Sequence, residues 1–175
     1  ELENQTLSFE ALFEHSPIGI VIMRNSDSQR SGEVIVKINP VFEQITGRTK
    51  EEIENLGWVE HTHPDYIEED IDNFRKLQAG EIKNYSMEKR FVKPDGSIVW
   101  VYITVAALAR KGEDEFFHIC LIQNITNQKA ATAALIESEK KYRSITENMS
   151  DVVWQLDLTL ETTYVSPSVE KLLGE

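Results

Sequence analysis

Residues 85–125 read YSMEKRFVKPDGSIVWVYITVAALARKGEDEFFHICLIQNI. Apolar and polar residues alternate here with the two-residue period of half-buried strands. Three segments emerge, Tyr85 to Lys93, Ser97 to Ala109 and Glu115 to Ile125. They are joined by Pro94-Asp95-Gly96 and by Arg110-Lys111-Gly112-Glu113-Asp114, both good hairpin connections, so the stretch predicts an antiparallel meander. Within its longest strand Val99, Val101, Ile103 and Val105 alternate with Trp100, Tyr102 and Thr104. The β-branched set is expected to lie under helices and the aromatic set to face outward.

Upstream the period lengthens to that of helices. Asn39-Pro40 is a cap followed by proline at the first helical position, and Gly47 is placed to end that helix. Thr49-Lys50-Glu51-Glu52 is a capping box that opens a second. Residues 65 to 68 cap a third, with Ile67, Ile71, Phe74 and Leu77 on its face and Gly80 as its stop. Before these, Ile18 to Met23 and Glu33 to Ile38 read as a hairpin across Asn25 to Gly32, and a short helix leads in and stops at Ser16-Pro17. The fold class implied is α+β, a five-stranded antiparallel sheet covered on one face by short helices, held in residues 9–126 after a lead-in at 1–8.

Residues 127–149 form a polar, alanine-rich helix, of which 127–141 reads as a linker. Gln128, Ala131, Leu135, Ser138, Tyr142, Ile145 and Met149 make a near-heptad seam, suiting either a solvated linker or a dimeric coiled coil. The chain then repeats itself. Residues 142–157 follow the order of residues 9–24, and residues 165–174 echo residues 38–47, with a shorter hairpin loop between. Residues 142–175 are therefore expected to begin a second, truncated copy, and both ends of the sequence look cut from a longer protein.

Composition narrows the function. Eighteen basic against thirty acidic residues among 175 give a net charge of -12, which repels phosphate backbones and makes nucleic-acid binding unexpected. One cysteine, Cys120, allows no internal disulfide, and there is no CxxC pair, so a reducing cytoplasm is expected. The longest apolar run, Val99 to Ala109, is about half of what a bilayer span requires, so no span is expected in this segment.

Strand parity and helical faces converge Val21, Met23, Phe42, Ile45, Ile71, Phe74, Phe91, Val101, Ile103, Val105, Cys120 and Ile122 on one interior, either a ligand cavity or a solid core. Lys89 shares the parity of Phe91, and either meets a carboxylate ligand or snorkels at the sheet edge. His61 and His63 stand two apart near Asp65 without a third fixed ligand, so no metal site is expected. Glu68, Glu69 and Asp70 read as a solvated helix face. No nucleophile elbow, P-loop or GxGxxG occurs, and no catalytic residue is assigned.

Taken in order, Asn39-Pro40 with Gly47, Trp58 with His63-Pro64-Asp65, Glu88-Lys89-Arg90-Phe91 before Asp95-Gly96-Ser97, Trp100, and Asn124-Ile125-Thr126 running into a helix resemble a PAS domain with its PAC segment. The resemblance implies a sensory or dimerising module within a multidomain signalling protein. Such a parent is of sensor histidine kinase type, with a diguanylate cyclase or a ligand-free scaffold as alternatives. It further implies a homodimer, neighbouring PAS and output domains in the same chain, and room for a small-molecule ligand. Trp100, Tyr102, Asn124, Thr126, Ala131, Leu135, Ser138 and Tyr142 are the candidate interface and relay residues. The family usually has aspartate where Asn124 stands, so an ion pair at that junction is in doubt. Haem is disfavoured because the helix that would carry its histidine, Ile67 to Leu77, has none. A covalent flavin adduct is disfavoured because Cys120 lies on the last strand.

Overall fold

The computed structural model describes residues 9–26, 33–111, 115–148 and 151–173, in two compact units that divide after Asn127. The lead-in at 1–8, Asp27 to Gly32, Gly112 to Asp114 and Met149 of the helical seam lie outside the described residues.

In the first unit, helix α1 (residues 9–14) precedes β1 (Gly19–Ser26) and β2 (Glu33–Ile38). Helices α2 (Pro40–Thr46), α3 (Lys50–Leu56) and α4 (Ile67–Ala79) follow, with 3-10 turns at Val59–His61 and Pro64–Tyr66. The meander is β3 (Asn84–Val92), β4 (Ile98–Lys111) and β5 (Glu115–Asn124). The five strands form one antiparallel sheet in the order β2-β1-β5-β4-β3. The first hairpin thus packs beside the last strand, and β5 occupies the middle of the sheet.

The expected local signals are present as atoms. Asn39 is fully buried, and its Oδ1 accepts from the amides of Ile20 (2.8 Å) and Phe42 (3.2 Å). Its Nδ2 donates to the carbonyls of Phe13 and Ile18, so one side chain ties α1, β1 and the start of α2 together. Gly47 closes α2 at φ 68, where a Cβ would meet the Lys93 side chain at 3.3 Å. Thr49 and Glu52 make both bonds of the capping box. The turn between β3 and β4 carries Gly96 at φ 81, and the carboxylate of Asp95 accepts from the Ser97 amide. Some boundaries differ from expectation: β1 runs to Ser26 and β4 to Lys111, each into a stretch read from sequence as a connection, because strand pairing with β5 continues there. Residues 64–66 form a 3-10 turn capped by His63, whose ring accepts from the Asp65 amide, and α4 begins only at Ile67.

On β4 the alternation is as read: Val99, Val101, Ile103 and Val105 are buried, while Tyr102 is 41% exposed. The buried set packs with Val21, Phe42, Ile45, Ile53, Leu77, Met87, Phe91 and Ile122 as one core beneath the helices.

The second unit holds most of α5 (Thr126–Asn148), then β6 (Trp154–Leu156), β7 (Thr162–Val165) and α6 (Ser168–Leu173). Tyr142 to Asn148 continue the linker helix without a break. The β6–β7 hairpin reproduces β1–β2 pair by pair. Trp154 faces Val165 as Val21 faces Ile38, and Gln155 faces Tyr164 as Ile22 faces Lys37. The register then slips at the same point, leaving Leu156 opposite Thr162 as Met23 stands opposite Ile35. Ser166 does for this hairpin what Asn39 does for the first. Its amide donates to the Val153 carbonyl and its Oγ accepts from the Val153 amide, both at 2.9 Å.

Candidate functional site

Between the inner face of the sheet and the helices lies a cavity of about 90 Å³. Its apolar wall comes from Val21 and Met23 on β1, Ile35 on β2, Phe42 on α2, Ile53 on α3 and Phe74 on α4, and from Phe91, Ile103, Val105, Cys120 and Ile122 on the meander. Glu54, Gly57 and Trp58 line it where it nears the surface beyond α3.

Of the thirteen residues that sequence converges on the interior, ten line this cavity. Ile45 and Val101 do not: they are 5% and 0% exposed in the packed core alongside it. Ile71 is the third exception. It is half-buried, and α4 is turned so that its neighbour Asp70 faces inward with Phe74 and Leu77.

That rotation corrects two expectations. Asp70 belongs to no solvated face, being 3% exposed, and Lys89 does not snorkel at the sheet edge, being 4% exposed. Lys89 Nζ donates to Asp70 Oδ2 at 2.6 Å and to Thr62 Oγ1 at 3.3 Å. The ammonium also lies 5.2 Å from the centre of the Trp58 ring and 5.0 Å from that of Phe91. Tyr85 completes the network by donating its hydroxyl to Asp70 Oδ1 at 2.7 Å. Two buried opposite charges with this many partners are a neutral polar island in an apolar wall.

Two histidines complete the lining, neither of them part of the sequence-derived set. His61 packs edge-on against Phe91 (4.9 Å) and Phe42 (6.0 Å), and His118 packs edge-on against Phe74 (4.9 Å) and stacks on Phe116 (5.6 Å). Burial holds His61 neutral by lowering its pKa to about 3. The charges of Lys89 and Arg48 add to this, against a small opposing pull from the Gly57 carbonyl. Burial lowers the pKa of His118 to about 4. Both Nδ1 atoms are buried without a hydrogen bond. His63 sits apart at the surface turn, so the two histidines that sequence placed side by side serve different structures.

Signals for the missed residues were present. His118 has the strand parity of Cys120 and Ile122, and Asp70 stands three residues after Ile67 and four before Phe74, on the apolar face of its helix.

The candidate relay residues gather where β4 meets α5. The Trp100 amide donates to Thr126 Oγ1 (3.0 Å) and its carbonyl accepts from the Ile125 amide (2.9 Å). Asn124 Oδ1 accepts from the Thr126 amide at 3.0 Å, so the amide side chain serves the junction without a charge. The Arg90 guanidinium lies over Tyr66 and Trp100 and pairs with Asp65. Along α5, Ala131, Leu135 and Tyr142 are exposed, the last two at 61% and 69%, and Ser138 is half-buried.

A sheet in the order 2-1-5-4-3, folded round a small cavity under short helices with a helix leaving its last strand, is the architecture of PAS domains, and the family model described as PAS fold matches residues 35–119. That match lies wholly within the first unit, which has the PAS fold. The sequence is 27% identical over 121 residues to a probable diguanylate cyclase, DgcE, of Escherichia coli, covering 69% of this chain and 10% of that protein. It is 24% identical over 133 residues to the sensor histidine kinase TmoS of Ectopseudomonas mendocina, covering 76% of this chain and 13% of that one. The chain thus spans about a tenth of the length of these curated relatives. Its fold is similar to the crystal structure of a PAS domain from Colwellia psychrerythraea, with a TM-score of 0.57 at 16% identity over 73% of this chain and 99% of that one.

Proposed function

We propose that the PAS domain is the input module of a larger cytoplasmic signalling protein, taking a small molecule into the cavity and passing the change through α5. One observation carries this reading. β4 walls the cavity with Ile103 and Val105, and the same strand holds the first residue of α5 through Trp100 and Thr126. A guest that shifts β4 therefore shifts the root of the helix. The exposed Leu135 and Tyr142 supply the seam of a homodimeric coiled coil. Residues 142–175, with their repeated register and cap, are the opening of a second PAS copy. The parent carries an output domain of the histidine kinase type, the cyclase reading resting on the E. coli relative. Haem and a covalent flavin adduct stay disfavoured in this reading, because Ile67 to Leu77 has no histidine and Cys120 lies on the last strand.

Inserting one residue after Ser138 in the full-length protein turns the seam by about 100°. Signal-dependent output is expected to be lost or inverted, and to return when four residues are inserted. Output unchanged by the single insertion would contradict transmission through helix phase.

A further inference from the structure

The buried polar groups of the cavity fall into two sets with different consequences for a guest. The first is closed. Lys89 is engaged by Asp70, Thr62 and two aromatic rings, and Asp70 by Lys89 and Tyr85. An anionic guest would have to draw Lys89 from a carboxylate that is only 3% exposed, and a cationic guest would have to take Asp70 from Lys89. The two buried charges therefore cancel before any guest enters.

The second set is open. His61 and His118 line the cavity, and each carries a buried Nδ1 without a hydrogen bond. A neutral imidazole has one N–H and one lone pair, and with the ring proton of His61 assigned to Nε2 its unpartnered Nδ1 presents the lone pair. A lone pair on a neutral imidazole asks for a donor, not for a charge. Phe42, Phe91 and Phe74 present ring surface round the two histidines. Size sets the last limit. A dry apolar cavity of about 150 Å³ takes up benzene, so about 90 Å³ admits one small ring with slight adjustment of the wall.

Resting on the reading of the cavity as the input, we infer that its guest is an uncharged single-ring molecule of the phenol class, whose hydroxyl donates to Nδ1 of His61. Phenol, fluorobenzene and benzoate are near-isosteric probes that separate the donor from the ring and from the charge. Calorimetric titration of the full chain should show phenol binding more tightly than benzoate. His61→Phe should weaken phenol about tenfold, the factor for one hydrogen bond, and leave fluorobenzene within about threefold. In wild-type protein labelled at the imidazole nitrogens, phenol should move the Nδ1 resonance of His61, a readout that does not depend on the variant folding. Undiminished phenol affinity in the variant, an unmoved resonance, or benzoate as the tighter ligand would overturn the assignment. Preference for benzoate would leave the cavity as the input and remove only the uncharged class. Failure of all three probes to bind would also overturn the class, while the helix-insertion measurement tests the input reading independently.

Discussion

Replacing Asp70 by leucine tests the buried pair most directly. Both side chains are 5% exposed and meet at 2.6 Å, so the single substitution strands an ammonium in the core. Removing one partner of a buried pair costs about 3–5 kcal/mol. The lower end is expected here, because Lys89 keeps Thr62 and the faces of Trp58 and Phe91. About 3 kcal/mol lowers the melting temperature of a domain this size by roughly 12 °C. The double variant Asp70→Leu with Lys89→Met removes both charges. It should recover to within about 1 kcal/mol of the parent, the remaining cost being the bond that Tyr85 made to Asp70. Urea unfolding followed by tryptophan fluorescence measures this in a Trp154→Phe background, which confines the signal to Trp58 and Trp100 in the PAS domain. A cost below about 1 kcal/mol for the single variant, or additive single variants in the double-mutant cycle, would refute the reasoning and mean that water solvates the pair.

Acid should destabilise the domain through its histidines. Both are neutral when folded and take up protons near pH 6.5 when unfolded, so their contribution is complete above that pH. It is lost as pH falls towards about 4 for His118 and about 3 for His61. Each adds about 1.4 kcal/mol per pH unit to the slope, so His118→Phe should flatten the stability profile between pH 6 and 4.5 by about that much, and an unchanged slope would contradict the assigned burial. Asn39→Ala removes four hydrogen bonds from a fully buried position and should cost about 3 kcal/mol in the same urea assay, whereas a loss under about 1 kcal/mol would show that water replaces them.

Much of this was legible because local chemistry and global topology agree. Alternation on β4 fixed which face is buried, and the pairing of Asn39 with Gly47 and of Thr49 with Glu52 fixed where helices begin and end. The polar interior was less legible. A helical face read from apolar residues alone places Ile71 inward, yet a carboxylate that finds a buried ammonium can take that direction, and Asp70 does. Only the juxtaposition of α4 with β3 and the Thr62–Phe91 bridge makes this possible, and no local signal in either segment reports it. His61 was hidden for a similar reason: its neighbours in sequence are a surface turn, and its neighbours in space are Phe42 and Phe91.

The matching hairpins have a practical side. Gln155 stands 133 positions after Ile22, but Tyr164 only 127 after Lys37, so six residues separate the two connections in length while the three rungs the hairpins share and the slip in register stay put. Lengthening such a connection costs little chain entropy. The segment from Asp27 to Gly32 is thus a natural graft point, where a fluorescent reporter or an affinity handle could be spliced into the input domain without disturbing how its strands are laid.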